Sequence, residues 1–327
     1  MEYRKLGNTD LELSTITYGA FAIGGTMWGG NEEKDSVASV RASIDHGVTT
    51  LDTAPFYGFG LSEEMIGQAI KGYDRSQIQL LTKFGLVWDG TNEAKGEFFF
   101  DAEKDGKTIP VYKYASRASI MKEVENSLKR LQTDYIDLLQ IHWPDTTTPI
   151  SETMEALELL LQQGKIRAAG VSNYSLEQVA EAQHSLNIAS NQLAYSMLNR
   201  NMEKDIVPYA LQHNLGIIVY SPMERGLLTG KYFGDGKLKA NDHRNAYFQQ
   251  FDLAKVKTFL DTISPIAADK GATLSQLVLK WTTLQPAITT VLAGARNAEQ
   301  AISNAQSIEI NLTADELSHI NHALSQL

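Results

Sequence analysis

The sequence predicts a single-domain (β/α)8 barrel of the TIM type, on three observations. Short apolar runs alternate with stretches of helical periodicity, giving eight strands in all. The 327 residues suffice for such a barrel, and no composition break or low-complexity linker divides them. Alternation of this kind makes each helix a crossover between parallel neighbouring strands.

The elements follow in order. Ile16-Thr-Tyr-Gly-Ala20 reads as the first strand, and the glycines between Gly24 and Gly30 as the loop behind it. Their spacing fits neither G-x-G-x-x-G nor a phosphate-binding P-loop. Val37, Val40 and Ile44 recur at helical spacing, and Gly47 ends that helix. Val48-Thr-Thr-Leu51 is a strand that delivers Asp52, with Pro55 and Tyr57 in the loop beyond. A helix with Met65, Ile66 and Ala69 leads to Ile78-Gln-Leu-Leu-Thr82, which ends in Lys83.

A helix with Ile120, Val124, Leu128 and Leu131 leads to Tyr135-Ile-Asp-Leu-Leu-Gln-Ile141, which ends in His142. Met154, Leu157 and Leu161 mark the next helix, and Ile166-Arg-Ala-Ala-Gly-Val171 ends in Ser172 and Asn173. Ser175-Leu-Glu-Gln178 is a capping box. A weaker strand over 189–193 carries Gln192; a helix over 203–214 precedes Gly216-Ile-Ile-Val-Tyr220, followed by Ser221. Thr273-Leu-Ser-Gln276 opens a helix bearing Leu277, Val278, Trp281 and Leu284. Ile288-Thr-Thr-Val-Leu292 is the last strand, followed by Gly294 and Arg296, and Thr313-Ala-Asp-Glu316 opens the last helix.

Two segments exceed ordinary loop length, Gly85 to Ala115 after the third strand and Met223 to Gln250 after the seventh. Both leave the rim on which barrel enzymes build their sites, and they read as lid or pocket wall. A surface insertion is the alternative.

Composition narrows the function. With 29 Lys and Arg against 39 Asp and Glu, the formal charge is −10, which argues against nucleic-acid or anionic-membrane binding. The absence of cysteine excludes disulfides, thiolate metal sites and cysteine nucleophiles. No cluster has metal-ligand spacing, no apolar run approaches a membrane span, and no cleavable leader is evident, so a cytoplasmic protein is expected.

Residues just after strands two, three and four are neighbours on a barrel rim, which gathers Asp52, Tyr57, Lys83 and His142. That set suits proton delivery to a carbonyl oxygen. A phenol with an ordinary pKa of about 10 is a proton donor, an adjacent ammonium eases its ionisation, and a carboxylate holds the ammonium. Taken singly, Asp52 fits a helix cap, Lys83 a solvent-reaching lysine, and Tyr57 and His142 packing groups. The opposite half-rim offers Ser172, Asn173 and Gln192 for a carboxamide, Tyr220 for stacking on a flat ring, Ser221, and Arg296 for a phosphate. Trp28, Phe56, Trp88 and Trp143 suggest an aromatic substrate pocket.

The stretches Leu51-Asp-Thr-Ala-Pro-Phe-Tyr-Gly58, Leu128 to Pro144, Gly164 to Asn173 and Gly226-Leu-Leu-Thr-Gly-Lys231 carry a resemblance over essentially the whole chain. It is to the aldo-keto reductases, in particular the bacterial branch of inositol-operon and general-stress reductases. The resemblance implies NADPH-dependent reduction of aldehydes or ketones, with Asp52, Tyr57, Lys83 and His142 as catalytic tetrad and Tyr57 as general acid. It implies that Ser172, Asn173 and Gln192 bind the nicotinamide amide and that Tyr220 stacks on the ring. Ser221, Leu227, Gly230 and Lys231 would serve the pyrophosphate. One departure stands out: Gly294 and Gln300 occupy positions where many relatives carry lysine and arginine for the adenosine 2′-phosphate. Arg296 is then expected to take the phosphate, with Gln300 and Asn304 beside the adenine, and some NADH use is expected. A nicotinamide-binding regulatory subunit is the alternative within the family; a Schiff-base Lys83 is the alternative outside it.

Overall fold

A computed structural model describes residues 1–25, 32–90, 96–234, 238, 242 and 244–327. Strands β1 (Tyr3–Lys5) and β2 (Glu12–Ser14) form an antiparallel hairpin ahead of the barrel. The barrel strands follow as β3 (Ile16–Gly19), β4 (Thr50–Asp52) and β5 (Gln79–Phe84). After an inserted sheet of β6 (Leu86–Val87), β7 (Glu97–Lys104) and β8 (Lys107–Lys113), the barrel resumes with β9 (Ile136–Ile141) and β10 (Ile166–Ser172). It ends with β11 (Ser190–Ala194), β12 (Gly216–Tyr220) and β13 (Ile288–Gly294). The strands close in the order β10-β11-β12-β13-β3-β4-β5-β9, every pair parallel, which is the expected eight-stranded (β/α)8 barrel.

Burial explains the pattern that made these strands legible. β9 is buried at every position because one face fills the barrel and the other meets helices. The hairpin leucines Leu6, Leu11 and Leu13 pack with Leu81, Leu138, Ala168, Ile218 and Leu292, so the hairpin plugs the lower end of the barrel interior. Outside, helices such as Leu61–Ala69, Arg117–Leu131 and Ile150–Gln162 return the chain to the next strand. The capping boxes at Ser175, Thr273 and Thr313 all form.

Two parts differ from expectation. The segment after β5 is not a plain loop: its described residues build the antiparallel sheet β6-β8-β7. A further helix, Leu253–Asp269, is capped by Asp252 and buries Val256, Phe259, Leu260 and Ile263. Pro265 sits within it and masks the helical pattern in the sequence.

Gly24 and Gly58 let the chain behind β3 press against the Tyr57 loop. A Cβ on Gly58 would sit 2.0 Å from the Gly24 carbonyl oxygen, and Gly58 has φ +63°. Gly58→Ala should therefore cost about 2–4 kcal/mol in urea unfolding, from the clash together with the left-handed backbone. An unchanged midpoint would show that the two loops are not in contact.

Candidate active site

The site begins with a buried ion pair. Asp52 ends β4 and Lys83 lies near the end of β5, and the parallel pairing of these strands turns both side chains to one rim. Lys83 Nζ is 2.6 Å from Asp52 Oδ1 and donates a second bond to the Thr53 carbonyl at 2.9 Å. Asp52 is 0 % and Lys83 1 % exposed. Charges this far from water persist only when paired and hydrogen-bonded.

Tyr57 lies over the pair, with the Lys83 ammonium 5.0 Å from its ring centroid. Phe21 packs edge-on against the phenol at 4.9 Å, and His142 does so from the other side at 5.6 Å. Burial raises the Tyr57 pKa above its ordinary value; Lys83 opposes that rise and Asp52 adds to it. Burial alone would lower the Lys83 pKa, but Asp52 and Tyr57 outweigh it and raise it. Burial and the Lys83 cation push His142 well below the usual histidine range, so its imidazole is neutral at pH about 7. The four residues expected to converge do so, as an aspartate paired with a cationic lysine, a protonated phenol and a neutral imidazole.

The opposite half-rim is physically joined to this cluster. Gln192, 2 % exposed on β11, donates from Nε2 to Asp52 Oδ2 at 2.8 Å. That bond fixes the amide orientation and leaves Oε1 with no hydrogen-bond donor among the described residues. Ser172 Oγ donates to the Gln192 carbonyl at 2.9 Å. Asn173, with φ +61°, donates from Nδ2 to the His142 carbonyl at 3.0 Å and accepts from the Tyr220 hydroxyl at 2.8 Å. An amide oxygen left open on an otherwise buried side chain, with the half-buried Tyr220 on the neighbouring strand, fits a carboxamide-bearing flat ring such as nicotinamide.

After β12 the backbone of Ser221, Glu224 and Arg225 has φ +56°, +47° and +53°, uncommon outside glycine. Buried Glu224 stabilises the bend by accepting from Ser196 Oγ and the Tyr247 hydroxyl, and Arg225 lies 3.8 Å over the Tyr247 ring. Leu227 is buried beneath this loop, Gly230 turns it with φ +77°, and Lys231 is exposed. Past β13, Arg296 is exposed and its backbone N–H donates to Gln300 Oε1 at 3.0 Å. Asn304 is buried and donates to the Gly294 carbonyl at 3.1 Å, bracing that strand end. Glycine turns and exposed cations suit a phosphate-bearing cofactor arm.

An aromatic wall stands beside Tyr57. Phe56 meets Trp88 at 5.9 Å and Phe100 at 5.4 Å, while Phe99 meets Trp143 at 5.3 Å. Phe56, Trp88 and Trp143 thus join one cluster with Phe59, Phe99 and Phe100. Trp28 lies outside the described residues. The wall residues Phe59, Phe99 and Phe100 were not distinguishable in the sequence; the Phe98-Phe-Phe100 run is the one signal that pointed toward them.

The Aldo/keto reductase family model matches residues 15–325, and the chain belongs to that family. It is 39% identical to aldo-keto reductase YhdN of Bacillus subtilis (strain 168), covering 99% of this chain and 94% of that protein. It is 37% identical to the NADH-specific methylglyoxal reductase of Escherichia coli (strain K12), covering 94% of each. Among solved structures, the glycerol dehydrogenase AKR11B4 from Gluconobacter oxydans superposes with TM-score 0.86 at 35% identity, covering 99% of this chain and 95% of that one. An aldo-keto reductase from Klebsiella pneumoniae in complex with NADPH superposes with TM-score 0.73 at 29% identity, covering 98% and 95%. Family membership brings a nicotinamide cofactor and oxidoreductase chemistry.

The ion pair makes a stability prediction. Lys83→Met strands the Asp52 carboxylate in a dry environment and should cost about 3–5 kcal/mol in urea unfolding. Adding Asp52→Asn should recover part of that loss; a Lys83→Met variant as stable as the parent would show that the pair is solvated.

Proposed function

We propose that this protein is a carbonyl reductase that uses NADPH, and to a lesser extent NADH, with Tyr57 as general acid. The observation that carries the reading is the phenol held against the buried Lys83–Asp52 pair and a neutral His142, with Gln192 bonded to the same aspartate. A bound nicotinamide supplies the hydride. Gln192 Oε1 accepts from its carboxamide, Ser172 and Asn173 complete that seat, and Tyr220 stacks on the ring. Ser221, Leu227, Gly230 and Lys231 line the pyrophosphate arm, while Gly294, Arg296, Gln300 and Asn304 line the adenosine end. Arg296 and Lys231 are the cations in this set, which supports a 2′-phosphate ligand; the NADH-specific relative supports some use of NADH.

The chemistry on the protein side is proton delivery. Tyr57 hydrogen-bonds the carbonyl oxygen of the substrate and protonates it as charge develops. Lys83 stabilises the resulting phenolate and Asp52 keeps Lys83 in place. Neutral His142 orients the oxygen without competing for the proton. The aromatic wall of Phe56, Trp88 and Trp143 excludes water and favours small or flat carbonyl compounds, as the methylglyoxal-reducing relative suggests.

Tyr57→Phe keeps the ring and removes the proton donor. Reduction of a reactive aldehyde such as 4-nitrobenzaldehyde should fall by about 10²–10⁴-fold while the NADPH dissociation constant stays within about two-fold. Near-normal turnover in that variant contradicts the assignment. A parent protein that binds NADPH tightly yet reduces nothing in a broad carbonyl panel would favour the regulatory-subunit reading.

The neutral imidazole has a consequence for the pH profile. Because His142 is held neutral, kcat should be level between about pH 6 and pH 7.5, with no step at the ordinary histidine value of about 6.5. A step there that disappears in His142→Asn would place a titrating imidazole in the reaction.

A further inference from the structure

The strand end that carries Lys83 is held from behind by two glutamates that the proposed chemistry does not use. Thr82, on the outer face of β5, donates to Glu63 Oε1 at 2.7 Å, and Glu63 is fully buried and paired with Arg130 at 2.7 Å. Three residues on, the Gly85 N–H donates to Glu123 Oε2 at 2.9 Å, and Ser119 Oγ donates to Glu123 Oε1 at 3.1 Å. Between them, the Phe84 carbonyl accepts from the His142 N–H at 2.9 Å. The Gly85 carbonyl accepts from Tyr114 N–H at 3.1 Å, which closes the base of the inserted sheet. Gly85 is therefore where the Lys83 strand, the inserted sheet and the helix Arg117–Leu131 meet, and the contact from that helix is the Glu123 carboxyl.

We propose that Glu123 is a positioning residue: its carboxyl fixes Gly85, and through Gly85 the alignment of Lys83 with Tyr57 and of the Phe84–His142 backbone contact. The link to turnover rests on the proton-delivery reading; the tether itself does not. Glu63 is an anchor paired with Arg130. Glu123 has no ion-pair partner among the described residues and faces the negative charges of Asp89 and Glu63, with Lys122 engaged by Asp89. Glu123 is half-buried, and desolvation of its carboxyl, reinforced by those charges, pushes its pKa up to about 8 against the hydrogen bonds from Gly85 and Ser119. The tether therefore changes charge in a range where most carboxyls do not. A carboxyl raised in this way contributes stability that is present below about pH 4.5 and is lost as pH rises through about 8.

Two variants separate positioning from bulk structure. Glu123→Gln keeps an oxygen acceptor for Gly85 and removes the titration; Glu123→Ala removes the acceptor. Hydrogen exchange of the apo protein at about pH 7 should show Gly85 exchanging roughly ten-fold faster in Glu123→Ala and little changed in Glu123→Gln. With NADPH and 4-nitrobenzaldehyde, kcat of Glu123→Ala should fall roughly three- to ten-fold with KM nearly constant. Glu123→Gln should keep parental kcat at neutral pH, lose the parental step near pH 8, and gain melting temperature over the parent as pH rises from about 5 to about 9. Unchanged exchange at Gly85 in Glu123→Ala overturns the tether. Faster exchange with an unchanged kcat and pH profile overturns the positioning role. A parent protein without turnover overturns the reductase reading and leaves the exchange result to judge the tether.

Discussion

A lysine ammonium 2.6 Å from an aspartate carboxylate, both almost completely removed from water, is the constraint on which the rim depends. In a barrel interior neither charge survives alone, so every remaining valence has to be met by the protein. Asp52 meets its second with Gln192 from β11, across the barrel; Lys83 meets its second with the Thr53 carbonyl and lies under the Tyr57 ring. The pair thereby ties β4, β5 and β11 together and gathers a phenol and an amide around one buried ion pair.

That arrangement divides the molecule into a rigid and an adaptable part. Asp52, Lys83 and His142 sit at strand ends and Tyr57 on a loop pressed against the chain behind β3 where Gly58 meets Gly24, so their geometry is inherited from the barrel. The aromatic cluster is built instead from the inserted sheet and from Phe56, Phe59 and Trp143 beside it, and it includes neither Asp52 nor Lys83. Family members that reduce different carbonyl compounds are then expected to share the first part and differ in the second.

Much of this was legible in the sequence because buried parallel strands leave continuous apolar runs, and the polar residue ending each run marks the rim. Asp52, Lys83 and His142 were visible for that reason, and Tyr57 because its proline-broken loop has no place in a core. The hairpin β1–β2 was not visible, since strands of three residues have too little periodicity to register. The β7–β8 hairpin did leave a mark: Asp105-Gly106, with φ +52° and +73°, is the turn pair that a two-residue hairpin favours. The Glu-Phe-Phe-Phe run before it lacks strict alternation and conceals the strand. The Gln192–Asp52 bond joins residues 140 positions apart, so no local pattern could disclose it.

The central claim is that Asp52 acts on proton delivery through Lys83 and Tyr57, while its bond to Gln192 bears on the cofactor seat, so the chemical step is read at saturating cofactor. A double-mutant cycle on kcat with a reactive aldehyde, built from Asp52→Asn and Tyr57→Phe, tests it most directly. The account predicts that Asp52→Asn slows the parent strongly but changes the Tyr57→Phe background by no more than about two-fold. Losses that multiply, so that Asp52→Asn costs as much without the phenol as with it, would contradict it.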